Sequence, residues 1–319
     1  MIPEIVSVSV GLAVFALLTT AALSPLETLS WWAGWTEEEI DAPSAQSRAT
    51  ANAQRGLFVV YLSGVASISG KFILRREEFF VRGLRKRTPN AVIIDNVFPY
   101  SPSGLPLLAS PRAFDRLWRW IQKLDLQGRR TMLRGLINLR NIYQVLVSAD
   151  HRYGPIFSQG AASAIEAALL KAGYAPGGGA RIVIIGYSGG AQVAVGAAPF
   201  LKARLGASID VISIGGVLAS DRGIDAVDAL HHVHGDRDRI EKIGAVMFAE
   251  RWGAFANSRW NIAKRDGRLK LHKLTDIIHA GPDGYFGLPK RGDKSNNERT
   301  QEIVADILSA RSLQQLHDA

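Results

Sequence analysis

The segment Gly186-Tyr187-Ser188-Gly189-Gly190 sets a serine between glycines placed two residues before and two residues after it. A serine hydroxyl is a poor nucleophile until it is exposed, aligned and relieved of its proton by a neighbouring base. A sharp turn from strand to helix achieves that exposure. It crowds the backbone, however, and a Cβ at either flanking position would clash, so glycine is the residue that fits both. Four β-branched residues, Ile182 to Ile185, precede the segment and an alanine-rich stretch follows it, as a strand, a turn and a helix require. Ser188 is therefore the candidate nucleophile. Phosphate-cradling loops are the rival use of such glycines. Here Ser188 stands where a dinucleotide fold wants its second glycine, the next strand ends in Gly215-Gly216 rather than an acid, and no P-loop lysine is present.

With its strand before and helix after, the segment resembles the nucleophile elbow of the α/β-hydrolase superfamily, and the resemblance covers about residues 56–310. It implies a mostly parallel sheet flanked by helices, with serine, acid and histidine following in chain order at the carboxyl edge of the sheet. The implied acid lies beyond a late strand, in His231-His232-Val233-His234-Gly235-Asp236-Arg237-Asp238. Asp238 is the first choice, and Asp236 and Asp221 are alternatives. Its task is to hold the histidine tautomer and stabilise the imidazolium. The implied base is His279, in Ile277-Ile278-His279-Ala280-Gly281-Pro282, with His272 as a competitor inside a strand pattern. The oxyanion hole needs two backbone N–H groups. Gly189 supplies one, and the Leu62-Ser63-Gly64-Val65 loop supplies the other from Gly64 or Val65, with Gly64 permitting a turn.

No cofactor is implied. Cys is absent, which excludes a thiolate nucleophile and a cysteine zinc site. His232 and His234 share a face of their strand while His231 points away, and no third ligand has recognisable spacing, so no metal is expected.

The elements that must position these residues alternate between strand and helix. Strand patterns fall at 57–62, 91–94, 181–185, 209–214, 229–234 and 269–274, and helical ones at 75–87, 112–124, 128–148, 161–172, 191–205 and 297–310. In 128–148 an apolar stripe of Met132, Leu136, Leu139, Tyr143 and Leu146 opposes Arg129, Arg130, Arg134 and Arg140. That pattern reads as a packed helix with a solvated basic face, or as a basic amphipathic part of a helical cap near 105–155.

Residues 5–23 are uncharged and apolar enough to cross a bilayer as one helix, followed by Trp31, Trp32 and Trp35 at headgroup level. An uncleaved anchor over 1–30 is expected over a signal peptide, although Thr20, Ala21 and Ala22 offer small residues for cleavage. A polar linker over 31–55 leads to the hydrolase domain at 56–319. Arg48 and Arg55 lie downstream with no base upstream, which tilts that domain to the cytoplasmic side.

With 47% hydrophobic and 21% charged residues the chain is globular. Its net charge of +9 favours anionic partners, and without any nucleic-acid-binding motif a membrane surface is the better match. The resulting expectation is a membrane-anchored serine hydrolase of a hydrophobic or lipid-like ester. An acyltransferase using the same residues and a silent, membrane-tethered binding protein are the alternatives.

Overall fold

The computed structural model describes residues 15, 19, 56–67, 73–100, 132–288 and 294–318. The expected anchor and linker (apart from residues 15 and 19), the helix at 112–124 and cap residues 105–131 lie outside these. Among the described residues no helix is long and apolar enough to cross a membrane.

The order is β1 (Leu57–Leu62), α1 (Arg75–Arg87), β2 (Ala91–Val97), α2 (Met132–Ala149), α3 (Gly154–Lys171), β3 (Arg181–Tyr187), α4 (Gly189–Leu205) and β4 (Ile209–Ile214). It continues through the single turn α5 (Gly223–Ala226), β5 (Ala229–Gly235), α6 (Arg239–Met247), a 3-10 turn at Ala249–Arg251, α7 (Arg259–Arg265), β6 (Leu269–Leu274) and α8 (Asn296–Asp318). The six strands form one sheet in the order β2-β1-β3-β4-β5-β6, every pairing parallel. This parallel sheet with flanking helices fits the α/β-hydrolase arrangement.

Alternation of side chains along each strand feeds two cores. Phe58, Val60, Leu62, Ile182, Ile184 and Val211 pack towards α3 and α4, whose small residues Ala161, Ala194 and Ala198 allow close approach. Leu57, Val59, Tyr61, Val183, Ile185 and Ile212 pack towards α1 and α8, meeting Phe80, Leu84, Val304 and Leu308. Each fully buried aliphatic side chain of this kind contributes about 1.5–3 kcal/mol of transfer free energy.

Register then sets the site. Leu62 pairs with Gly186, Tyr187 with Ile214, Ile214 with Val233, and Gly235 with Leu274. The loops after β1, β3, β5 and β6 therefore leave the sheet along one carboxyl edge.

Helix α2 corrects the expected stripe. Its inward face carries Arg140, Asn141, Gln144, Val145 and Ser148, all buried, while Ile142 and Leu146 are exposed. The cause is the irregular backbone beneath it. Asn141 Nδ2 donates to Val65 O (2.7 Å) and Ser67 O (2.9 Å), and Arg140 Nη1 donates to Tyr100 O (3.0 Å). Loop carbonyls removed from water need donors, and that demand outranks burial of the leucines. Arg140 belongs to the interior and not to a solvated basic face.

Candidate active site

Ser188 stands between β3 and α4 with φ of 52° and ψ of −122°, a conformation seldom adopted by a residue with a side chain. The flanking glycines are obligatory for the reason anticipated. A Cβ on Gly186 would lie 2.4 Å from Ala191 Cα, and one on Gly190 would lie 2.7 Å from the carbonyl oxygens of Leu62 and Ser63. The tight turn holds the Ser188 hydroxyl at the carboxyl edge, near the N-terminus of α4.

His279 meets it there. Its Nε2 lies 2.9 Å from Ser188 Oγ and its Nδ1 lies 2.9 Å from Asp238 Oδ2. The imidazole is fixed from a third side by Tyr187, whose ring stacks on it at 5.6 Å between centroids and whose hydroxyl donates to His279 O (2.8 Å).

Asp238 is fully buried and its lone pairs are all engaged. Oδ1 caps α6 by accepting from Ile240 N (2.9 Å) and Glu241 N (3.0 Å), while Oδ2 accepts from Tyr285 Oη (2.8 Å) as well as facing His279. Burial alone would raise its pKa. The hydrogen bond and charge of His279, the Glu241 N–H and the Tyr285 hydroxyl outweigh burial and hold the carboxyl below its ordinary value. An ionised Asp238 accepts from Nδ1, which keeps the His279 proton there and leaves the Nε2 lone pair turned to the serine.

The two alternative acids are occupied elsewhere. Asp221 accepts from Gln192 Nε2 (3.1 Å) and Gly223 N (2.7 Å). Asp236 accepts from Asp276 N (2.8 Å), which ties down the loop leading to His279. His272 is paired with His231 (3.0 Å), and His232 bonds Ser213 (2.9 Å) and Glu241 (3.1 Å). Among the described residues no cluster of His, Asp or Glu is arranged to hold a metal ion.

The loop after β1 lies against the serine turn. A Cβ on Gly64 would sit 2.7 Å from the Tyr187 ring and 3.6 Å from Ser188 Cβ, so the glycine is needed for close approach and not for a positive φ. A Cβ on Gly189 would fall 2.9 Å from Val65 Cγ1. Tyr100 reaches between the two loops: its hydroxyl donates to Ser63 O (2.7 Å), and a Cβ on Gly189 would lie 3.4 Å from it.

Behind this loop lies Glu77, a residue with no motif to announce it. It is buried at 2% exposure, accepts from Tyr61 Oη (2.8 Å) and faces the Gly64 N–H. Burial pushes its carboxyl up from 4.5 to about 7, against the opposing pull of the Tyr61 hydroxyl and the Gly64 N–H. The native state thus retains a proton that the unfolded chain releases. The contribution of this carboxyl to stability falls as pH rises between the two values and levels off above the native one, a loss of about 3 kcal/mol. Burial lowers the pKa of His231, His232, His234 and His272 and adds a rise over the same range to both proteins, so urea unfolding from about pH 5 to about pH 8 is expected to show the wild type losing stability relative to Glu77→Gln as pH rises. Parallel profiles in the two proteins would exclude Glu77 as the source of that difference.

No family model matches the chain, and no curated protein does. Solved structures do align with it. The propionate-bound thermophilic esterase of the Planctomycetes species Thermogutta terrifontis is 15% identical with a TM-score of 0.41, covering 81% of this chain and 85% of that one. Inhibited esterase B from Lactobacillus rhamnosis is 11% identical with a TM-score of 0.38, covering 81% and 78%. An arylesterase is 11% identical with a TM-score of 0.36, covering 82% and 76%. Likeness at this level transfers no activity, and the functional reading rests on the side-chain geometry.

Proposed function

We propose that the protein hydrolyses a carboxylic ester through an acyl-enzyme formed on Ser188. One observation carries the reading: the unbroken line of two 2.9 Å contacts from Ser188 Oγ through the His279 ring to Asp238. Ser188 Oγ attacks the ester carbonyl carbon while His279 Nε2 takes its proton, and the carbonyl π electrons move onto oxygen. The N–H groups of Gly189 and of Gly64 or Val65 hold that oxyanion. Collapse expels the alkoxide, which receives the proton from His279. Water then repeats the sequence at the acyl carbonyl, releasing the acid and restoring the serine.

The substrate is a hydrophobic or lipid-like ester met at a membrane, with residues 1–30 as the anchor and the catalytic domain on the cytoplasmic side. The uncharged run at 5–23, the tryptophans at 31, 32 and 35, the bases at 48 and 55, and the net charge of +9 support this. A p-nitrophenyl ester series from acetate to long acyl chains tests it. Turnover is expected, rising with chain length and with added anionic vesicles. No turnover of any ester would contradict the hydrolase reading, and a strict preference for acetate would contradict the hydrophobic one.

A further inference from the structure

Helix α6, which begins directly after Asp238, is amphipathic in the wrong sense for a helix of a water-soluble domain. Its inward positions are Glu241 and Gly244, both buried, while Ile240, Ile243, Val246 and Met247 face solvent at 43%, 46%, 70% and 56% exposure. Trp252 and Phe255, in edge contact at 6.5 Å, continue the exposed apolar surface beyond the helix. Six of the twelve large exposed apolar side chains among the described residues thus fall within sixteen positions. Scattered exposure needs no explanation, but a contiguous apolar patch marks a surface that is covered in use.

The helix is held to the body by polar means. Glu241 accepts from Arg251 Nη2 (2.8 Å) and meets His232 Nε2 (3.1 Å), and the Arg251 guanidinium lies over the Trp260 ring at 4.1 Å. Among the described residues no α6 side chain joins either apolar core, and its large apolar side chains face outward. The rim is basic: Arg237, Arg239 and Lys242 are exposed beside the patch, against a single exposed acid there, Glu250. Among the described residues neither Arg237 nor Arg239 has an acidic partner within 4 Å, and Lys242 is directed at the Asp236 carbonyl.

We propose that the surface formed by α6, Trp252 and Phe255 docks on an anionic lipid surface. Apolar side chains enter the headgroup boundary while the basic rim meets lipid phosphates, the chemistry of an interfacial helix. Charge complementarity favours lipid over a protein partner: the rim matches the net charge of +9, which draws the whole chain to a negative membrane. Because α6 starts directly after Asp238, the residue facing His279, docking would bring the carboxyl edge of the sheet to the membrane. The inference needs neither the chemistry of Ser188 nor the anchor.

The absence of cysteine allows a clean test in the full chain. Val246→Cys, at an exposed position that leaves the core untouched, is labelled with an environment-sensitive fluorophore and mixed with phosphatidylcholine–phosphatidylglycerol vesicles. Ile243→Cys serves as a second site. Leu170→Cys on α3, beside β1 and β2 at the other end of the sheet, is the control. Leu12→Cys in the N-terminal run reports the anchor separately. The labels at 246 and 243 are expected to shift to the blue and to be quenched by doxyl lipids, with the control unchanged and the effect weakened by replacing Arg239 and Lys242 with Glu. No lipid-dependent change at 246 and 243, or an equal change at 170, overturns the proposal even where the label at 12 enters the bilayer. A blue shift that grows with protein concentration without vesicles also overturns it, assigning the surface to a second copy of the chain.

Discussion

Ser188→Ala is expected to lower ester turnover by about 10⁶-fold, because the reacting oxygen is removed and the remaining groups act only as a unit with it. The fold is expected to survive. Among the described residues the Ser188 side chain makes a hydrogen bond to His279 alone, and alanine carries the same Cβ at the same φ of 52°, so the strain of the turn is unchanged. Steady-state kinetics beside a thermal melt separate the two outcomes. Loss of turnover with an unchanged melting temperature is the chemical result, whereas a tenfold loss or less would mean that another group reacts.

The second large effect is expected in Asp238→Asn, about 10⁴-fold in kcat at neutral pH. Asparagine caps a helix about as well as aspartate, and its Oδ1 can still accept from Ile240 N and Glu241 N. Its Nδ2 then occupies the place of Oδ2, between His279 Nδ1 and the Tyr285 hydroxyl. A donor there moves the His279 proton to Nε2 and aims it at Ser188, so the base is blocked while the fold stands. Tyr285 must also rotate, although it still receives the Gly235 N–H. The same substitution at Asp236 or Asp221 is expected to change kcat only a fewfold, since neither carboxylate faces His279. Parallel pH–rate profiles of the three variants check this. A comparable loss at Asp221 or Asp236 would remove Asp238 from the role.

Much of this site was legible in the chain because local rules and tertiary demands agree there. The glycines at 186 and 190 answer a backbone clash that any strand-to-helix turn at Ser188 creates, and the β-branched run before them defines β3 within two residues. Asp238 and His279 were legible by order, since β5 and β6 end where their apolar patterns end. What escaped was polar burial. Glu77, Arg140, Asn141 and Glu241 look like surface residues in a sequence, and only the loops they serve explain why they lie inside. Reading Leu146 as core and Arg140 as surface failed for this reason. Tyr100, Tyr187 and Tyr285 escaped because a buried tyrosine takes its partner from a distant loop, a pairing no local spacing records. Helix α6, for which no helical pattern was read, is the opposite case, with its apolar side chains facing out.

The central claim is that Ser188 is a nucleophile armed by His279, and covalent capture tests it most directly. The full chain is treated with a fluorophosphonate probe and digested, and the modified peptide is read by mass spectrometry. The account predicts one phosphonylated residue, Ser188, with labelling abolished in Ser188→Ala and strongly slowed in His279→Ala. Folded wild-type protein that takes no label, or takes it at another residue, would contradict it.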